Sequence, residues 1–289
     1  MGRAAPADRG LRQPRNGRYV PRASRLENGA SRMTTLLVTH PSSLEHDTGS
    51  GHPERADRLR AVQQALAAPE FSGLLRRDAP RAETAGIARV HRADYVDALL
   101  EAVPRQGLVR IDADTVISPG SGEAALRAAG AIMAAVDAVM AGEAANAFCA
   151  IRPPGHHATP AHGMGFCLFN NVAIGAAHLR AAHGLTKIAI VDFDVHHGNG
   201  TQAMFEREPD VLFASTHEYP LYPGTGDASE RGVGNVFNVP LPSGSGSAEF
   251  RAGMENVIFP ALRAFKPEFV LVSAGFDAHV RDPLASLRF

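Results

Sequence analysis

The stretch "KIAIVDFDVHHGNG", Lys187 to Gly200, limits the fold more than any other: Ile188 to Val191 are apolar without alternation, and two carboxylates and two histidines follow at once. A short apolar run without a period of two reads as a strand buried on both faces, and such strands belong to parallel sheets covered by helices. "TLLVTH", "NAFCAI", "VLFAST" and "FVLVSAG" read the same way. Between them lie helical patterns: "PERADRLRAVQQALAA" begun by Pro53, "ADYVDALLEAV", "GEAALRAAGAIMAAVDAVMAG" stopped near Gly142, "NNVAIGAAHLRAAHG" and "SAEFRAGMENVIFPALRAF". Strands alternating with helices predict an α/β fold with a mostly parallel central sheet and helices on both faces. In such sheets the site lies beyond the carboxyl ends of the strands.

The chain of 289 residues, 45% hydrophobic, is long enough for one large domain with a sizeable core. A formal net charge of -1 gives no support to a nucleic-acid or membrane-surface binder acting through bulk charge. No run reaches the roughly 20 apolar residues of a membrane span, since Arg127 and Asp137 interrupt the alanine-rich segment. Cys149 and Cys167 are too few for a disulfide framework, which fits a reducing, cytoplasmic setting. Residues 1–33 are rich in arginine with Pro, Gly and Ala and carry no signal-peptide core, so they read as a disordered tail, or as a start placed upstream of Met33. The folded domain is expected over residues 34–289.

Asp192, Asp194 and His196 are spaced by two, so on extended backbone their side chains leave from one face and can converge. Two acids at the end of a buried strand carry like-charge and desolvation costs unless a cation neutralises them. "FVLVSAGFDAH" repeats the arrangement and delivers Asp277 after a glycine. Asp194, His196 and Asp277 thus make a three-ligand set with a position left open, suited to catalytic zinc and, lacking a thiolate, also to iron(II) or cobalt(II). "AFCAIRPPGHHA" runs from a strand into His156 and His157, whose imidazoles titrate near neutral pH and suit general acid and base roles.

"GHPERADRL", "RPPGHHA", "GFCLFNN", "VDFDVHHGNGTQ", "YPGTG" and "SAGFDAH" resemble the successive motifs of the zinc-dependent histone deacetylase family, in particular its class II and bacterial members, from about Leu36 to Phe289. The resemblance implies the three-layer arginase/deacetylase fold. It also implies zinc-dependent hydrolysis of the acetyl amide of a lysine or a lysine-like amine. The family's zinc ligands fall on Asp194, His196 and Asp277 and its histidine pair on His156 and His157. Asp192 matches the carboxylate that orients the first histidine, and Asn199 stands where some members carry an aspartate beside the second. A structural potassium would use backbone carbonyls near Asp192, Asp194 and His196, with Ser215 and Thr216. The acyl tunnel would be walled by Gly165, Phe166 and Tyr222, and Asp114, two residues after Asp112, resembles the rim carboxylate that holds the substrate backbone.

One departure stands out. The family's oxyanion tyrosine lies some thirty residues beyond the third ligand, past Phe289, so the resemblance implies a C-terminally truncated domain that binds zinc and turns over substrate poorly. The rival readings are an acetylpolyamine amidohydrolase, a two-manganese ureohydrolase suggested by "DAHVRD", and a zinc-binding remnant without catalysis.

Overall fold

The computed structural model describes residues 34–289, so the arginine-rich segment of residues 1–33 lies outside the described residues. The strands are β1 (Thr35–Thr39), β2 (Leu75–Asp78), β3 (Val109–Arg110), β4 (Val116–Ile117), β5 (Asn146–Cys149), β6 (Ile188–Asp192), β7 (Val211–Glu218), β8 (Val236–Leu241) and β9 (Phe269–Ser273). They form a 3-stranded sheet ordered β2-β1-β5, a 4-stranded sheet ordered β8-β7-β6-β9 and a small hairpin of β3 and β4. Every pair in the two larger sheets is parallel. The helices are α1 (Ala56–Leu66), α2 (Thr84–Ile87), α3 (Ala93–Glu101), α4 (Ser121–Met140), α5 (Asn171–His183), α6 (Asn199–Phe205), α7 (Ser247–Gly253) and α8 (Phe259–Phe265).

Alternate residues of each strand enter different cores, which fixes the layers. On one face, Leu36 and Val38 of β1 pack on Ala131, Ala135 and Ala138 of α4. On the corresponding face of the other sheet, Ile188 and Ile190 pack on Ala173, Ala176 and Leu179 of α5, and Val136 of α4 joins the same core. On the opposite face, Ala189, Val191 and Leu212 pack on Ile258 and Ala261. Fully buried side chains such as Ile190 and Phe213 each contribute about 1.5–3 kcal/mol, which holds β6 rigidly between its neighbours. In register, Asp192 at the end of β6 stands opposite Ser273 at the end of β9 and Ser215 of β7, which runs on to Glu218. The chemistry collects at that edge.

The fold differs from the sequence reading in four places. The parallel sheet is divided in two, and β5 and β9 are edge strands rather than fully buried ones. Phe148, Val270 and Val272 are exposed, and both edges line one cavity of about 960 Å³ that reaches Asp194 and His156. Strands β2 (LRRD) and β8 (VFNVPL) lack an unbroken apolar run, the first lying exposed at an edge and the second carrying Asn238 and Pro240, so periodicity misses them. Helix α1 starts at Ala56 with Arg55 as its N-cap, three residues after Pro53. The segment "SAEFRAGMENVIFPALRAF" is not a uniform helix, because a π-helical turn over Met254–Ile258 separates α7 from α8. Pro260, at the start of α8, lacks the N–H that a regular helix would require there, and the widened turn precedes it.

Candidate active site

Beyond Asp192 the backbone leaves the strand, and its side chains part company. Asp192, wholly buried, turns to His156: its Oδ2 accepts from His156 Nδ1 at 2.8 Å, while Oδ1 accepts the N–H of Asp194 at 3.1 Å. Asp194, His196 and Asp277 instead bring one donor atom each to within 4.8 Å of one another. The spacing by two therefore yields two sites rather than one point, because the turn after Asp192 breaks the extended geometry. Asp277 arrives from the loop after β9, where it also accepts the N–H of Val195 at 2.9 Å. Its glycine neighbour is required: a Cβ on Gly275 would overlap the Asp194 carboxylate.

Nδ1 of His196 lies 3.1 Å from Asp194 Oδ1 and 3.0 Å from Asp277 Oδ2. Burial opposes a charged imidazole here, yet the two carboxylates outweigh it and push His196 up to about 10. The same cluster holds Asp194 below the usual carboxylate range, and burial, with the Asp194 charge, raises Asp277. A proton on His196 offsets part of this negative charge, and a divalent cation held by the same three groups would offset more of it. The donor set of two carboxylates and one imidazole fits zinc or another divalent ion of similar size.

A second group, Asp137 of α4 with His178 and His183 of α5, joins one carboxylate to two imidazoles, and its chemistry differs. Both imidazoles approach Asp137 Oδ1 through Nε2 at 2.7 Å. Arg89 Nη1 stands 3.1 Å from His178 Nδ1, and a guanidinium can only donate. The His178 proton is therefore on Nε2, where a ligand would need a lone pair. This group ties two helices together.

Above the metal candidates, the His156 and His157 rings lie 4.0 Å apart. His157 Nδ1 donates to Asn199 Oδ1 at 2.8 Å. Burial pushes His157 well down, helped by the neighbouring His156, whereas Asp192 and Asp194 overcome burial at His156 and raise it to about 9. Tyr222 packs edge-on against His157 with centroids 5.1 Å apart. Phe166 takes the left-handed conformation, φ 68, and packs on His52 at 4.8 Å. Such a conformation costs a non-glycine residue on the order of 1–3 kcal/mol and persists where the surroundings dictate it. Asp114 ties this segment together: its Oδ1 accepts from Gly165 N at 3.1 Å and Thr115 Oγ1 at 2.8 Å, and after burial its charge pushes the Tyr222 hydroxyl up. It braces the slot as well as facing it. Asp112 has its carboxylate 3.8 Å from His162 and also adds its charge near Tyr222.

A family model described as "Histone deacetylase domain" matches residues 52–289. The chain belongs to the histone deacetylase domain family. It is 43% identical over 275 residues to "Histone deacetylase 14, chloroplastic" of Arabidopsis thaliana, covering 88% of this chain and 65% of that protein. It is 41% identical over 245 residues to a "Histone deacetylase-like amidohydrolase" of Pseudomonas aeruginosa, covering 83% and 64%. The chain thus spans just under two thirds of each of those relatives. Among solved structures, the HDA15 HD domain superposes with a TM-score of 0.82 at 37% identity, covering 88% of this chain and 75% of that one. A histone deacetylase domain carries the arginase/deacetylase fold, and the parallel sheets with helices on both faces agree with it.

Sequence reasoning also left functional residues unassigned. Thr225, Gly226 and Glu230, with Gln202, His197 and His217, form a polar base under the Tyr222 loop. Their signal was the polar end of the otherwise apolar strand "VLFASTHE", where Ser215, Thr216 and His217 are all buried. A strand that buries so many polar groups must satisfy them in a network.

Proposed function

We propose that the chain is a metal-dependent amidohydrolase that removes the acetyl group from an acetylated lysine or a lysine-like amine, with zinc as the first candidate ion. The observation that carries this reading is the convergence of Asp194, His196 and Asp277 within 4.8 Å beside the His156–His157 pair, and we assign Tyr222, edge-on to His157, and Phe166 as walls of the substrate slot. Bound by those three residues, the ion would supply Lewis acidity toward the amide carbonyl and toward water. The other roles belong to the chain itself. His157, kept neutral by burial, accepts a proton from the attacking water and returns it to the leaving amine nitrogen. His156, kept cationic by Asp192, stabilises negative charge as it develops on the carbonyl oxygen. Tyr222 and Phe166 exclude water from the methylene stem of the substrate. A structural potassium is a further proposal, supported by the register that sets the backbone of Asp192 on β6 beside that of Ser215 on β7.

The test is turnover of an acetyl-lysine peptide and an acetylated polyamine by zinc-loaded and chelator-treated protein. Zinc-dependent release of acetate from either substrate supports the reading, and the ratio of the two rates identifies the substrate class. Absence of zinc-dependent turnover on both would overturn it.

A further inference from the structure

Tyr222 forms one wall of the slot from a loop, "YPGTGDASE", that has no regular secondary structure of its own. What fixes it is a set of hydrogen bonds whose direction can be read from one end to the other. Glu230 Oε1 accepts the N–H groups of Gly226 and Asp227 at 2.9 and 3.1 Å, and its Oε2 accepts from Gln202 Nε2 at 2.6 Å. A carboxylate only accepts, so the Gln202 amide has one orientation, with Oε1 turned toward Asn238 Nδ2 at 2.8 Å and His197 Nε2 at 2.9 Å. His197 therefore carries its proton on Nε2, and its Nδ1 accepts from the Thr225 hydroxyl at 2.8 Å. The chain of bonds has returned to the loop it left. His217 adds a second tie by donating Nε2–H to the Gly226 carbonyl at 2.9 Å.

We infer that Glu230 is a positioning residue for the substrate slot: through Gln202 and His197 it sets the direction of the bonds that pin Thr225 and Gly226, and so holds the Tyr222 ring against His157. The inference rests on the proposed hydrolase reading for what passes Tyr222, and on geometry alone for how Tyr222 is held. It makes Glu230 a determinant of how well an acyl-bearing chain fits, with no part in holding the metal.

Glu230→Gln keeps the shape and breaks the direction, because an amide NH2 would then face the NH2 of Gln202. Combining it with Gln202→Glu exchanges the two groups and restores every bond: the amide then at position 230 donates to the carboxylate then at position 202, which still accepts from His197 and Asn238. The primary readout is 19F NMR of protein carrying 3-fluorotyrosine at its four tyrosines, with Tyr222 assigned through Tyr222→Phe. In Glu230→Gln the Tyr222 resonance should move toward that of free 3-fluorotyrosine, and in the exchanged pair it should return. Thr225→Val, which cuts the other end, should move it in the same way and serves if Glu230→Gln does not fold. In zinc-loaded protein, Glu230→Gln should weaken binding of octanohydroxamate by about tenfold, the size of a lost apolar wall contact, and leave acetohydroxamate unchanged. An unmoved Tyr222 resonance in a folded variant, or an exchanged pair that folds and does not restore it, overturns the inference. Wild-type protein that binds neither hydroxamate would count against the hydrolase reading, and the fluorine shift would still decide the role of Glu230.

Discussion

The carboxylate of Asp192 and the imidazole of His156, both buried, meet at 2.8 Å between Oδ2 and Nδ1. That bond fixes the His156 proton on Nδ1 and sustains a second one on Nε2, the nitrogen turned toward the site. Asp192→Asn should remove the charge while keeping the volume, so turnover should fall by about 10²-fold, the low end of what a positioned acid or base contributes. Metal content should stay at the wild-type level, because Asp192 is outside the ligand group. Elemental analysis beside the rate measurement separates the two effects, and parallel loss of metal and rate would make Asp192 a metal residue.

His196 and His157 divide their roles differently. His196→Ala removes the only nitrogen among the three convergent donors and leaves two carboxylates facing each other. It should release the metal. His157→Ala should retain the metal and lose turnover, since His157 is bonded to Asn199 and not to the ligand carboxylates. Metal titration by a chromogenic chelator reads both variants, and equal loss in the two would abolish the distinction.

Gly275→Ala tests the space behind the site without touching a ligand. A Cβ there would overlap the Asp194 carboxylate, whose Oδ1 is already engaged by the N–H of His196 at 2.8 Å. Asp194 must shift, and metal affinity should drop by about 10- to 100-fold, the usual effect of disturbing a ligand's support. Unchanged affinity would mean that the loop before Asp277 relaxes freely.

Stability should depend on pH through the buried histidines. His46, His91, His197 and His217 are each pushed down to about 4 by burial. In the unfolded chain each takes up a proton near 6.5, so below that pH the unfolded state binds more protons than the folded one. Their contribution is complete above about 6.5 and is lost as the pH falls toward 4. His156 and His196, raised instead, contribute fully below about 6.5 and lose that contribution as the pH climbs from there to about 9 and 10. His91→Gln should reduce the slope of unfolding free energy between pH 4 and 6.5 by about 1.4 kcal/mol per pH unit, one proton's worth. Denaturant titrations across that range measure it.

The strands most legible in the sequence were those whose surroundings matched their composition. Ile188 to Val191 read as a strand buried on both faces and are one, and the apolar run carried straight to the site because parallel strands end where the ligands begin. The apolar β9 read the same way, but exposure depends on what lies beside a strand, and Val270 and Val272 lie at an edge. The metal candidates were legible because Asp194, His196 and Asp277 follow such strands directly. The separation of Asp192 from them was not, since it depends on a backbone turn that no spacing records. Glu230 was the least visible: an acid in a Gly/Ser-rich loop gains its role only from Gln202, a residue of another element 28 positions away.

Asn199 bonds His157, and changing its charge should move the pH profile in a direction fixed by electrostatics. Its Oδ1 accepts the Nδ1–H of His157 at 2.8 Å, and burial with the adjacent His156 keeps that imidazole neutral. Asn199→Asp puts an anion at the same distance, which favours imidazolium and raises the His157 pKa. A base works in its neutral form, so the acidic limb of kcat/KM should shift to higher pH while the metal stays bound. Asn199→Ala, which removes the acceptor and adds no charge, should not shift the limb upward. A profile that stays in place for Asn199→Asp, or moves to lower pH, would remove His157 from the role of base and return it to His156.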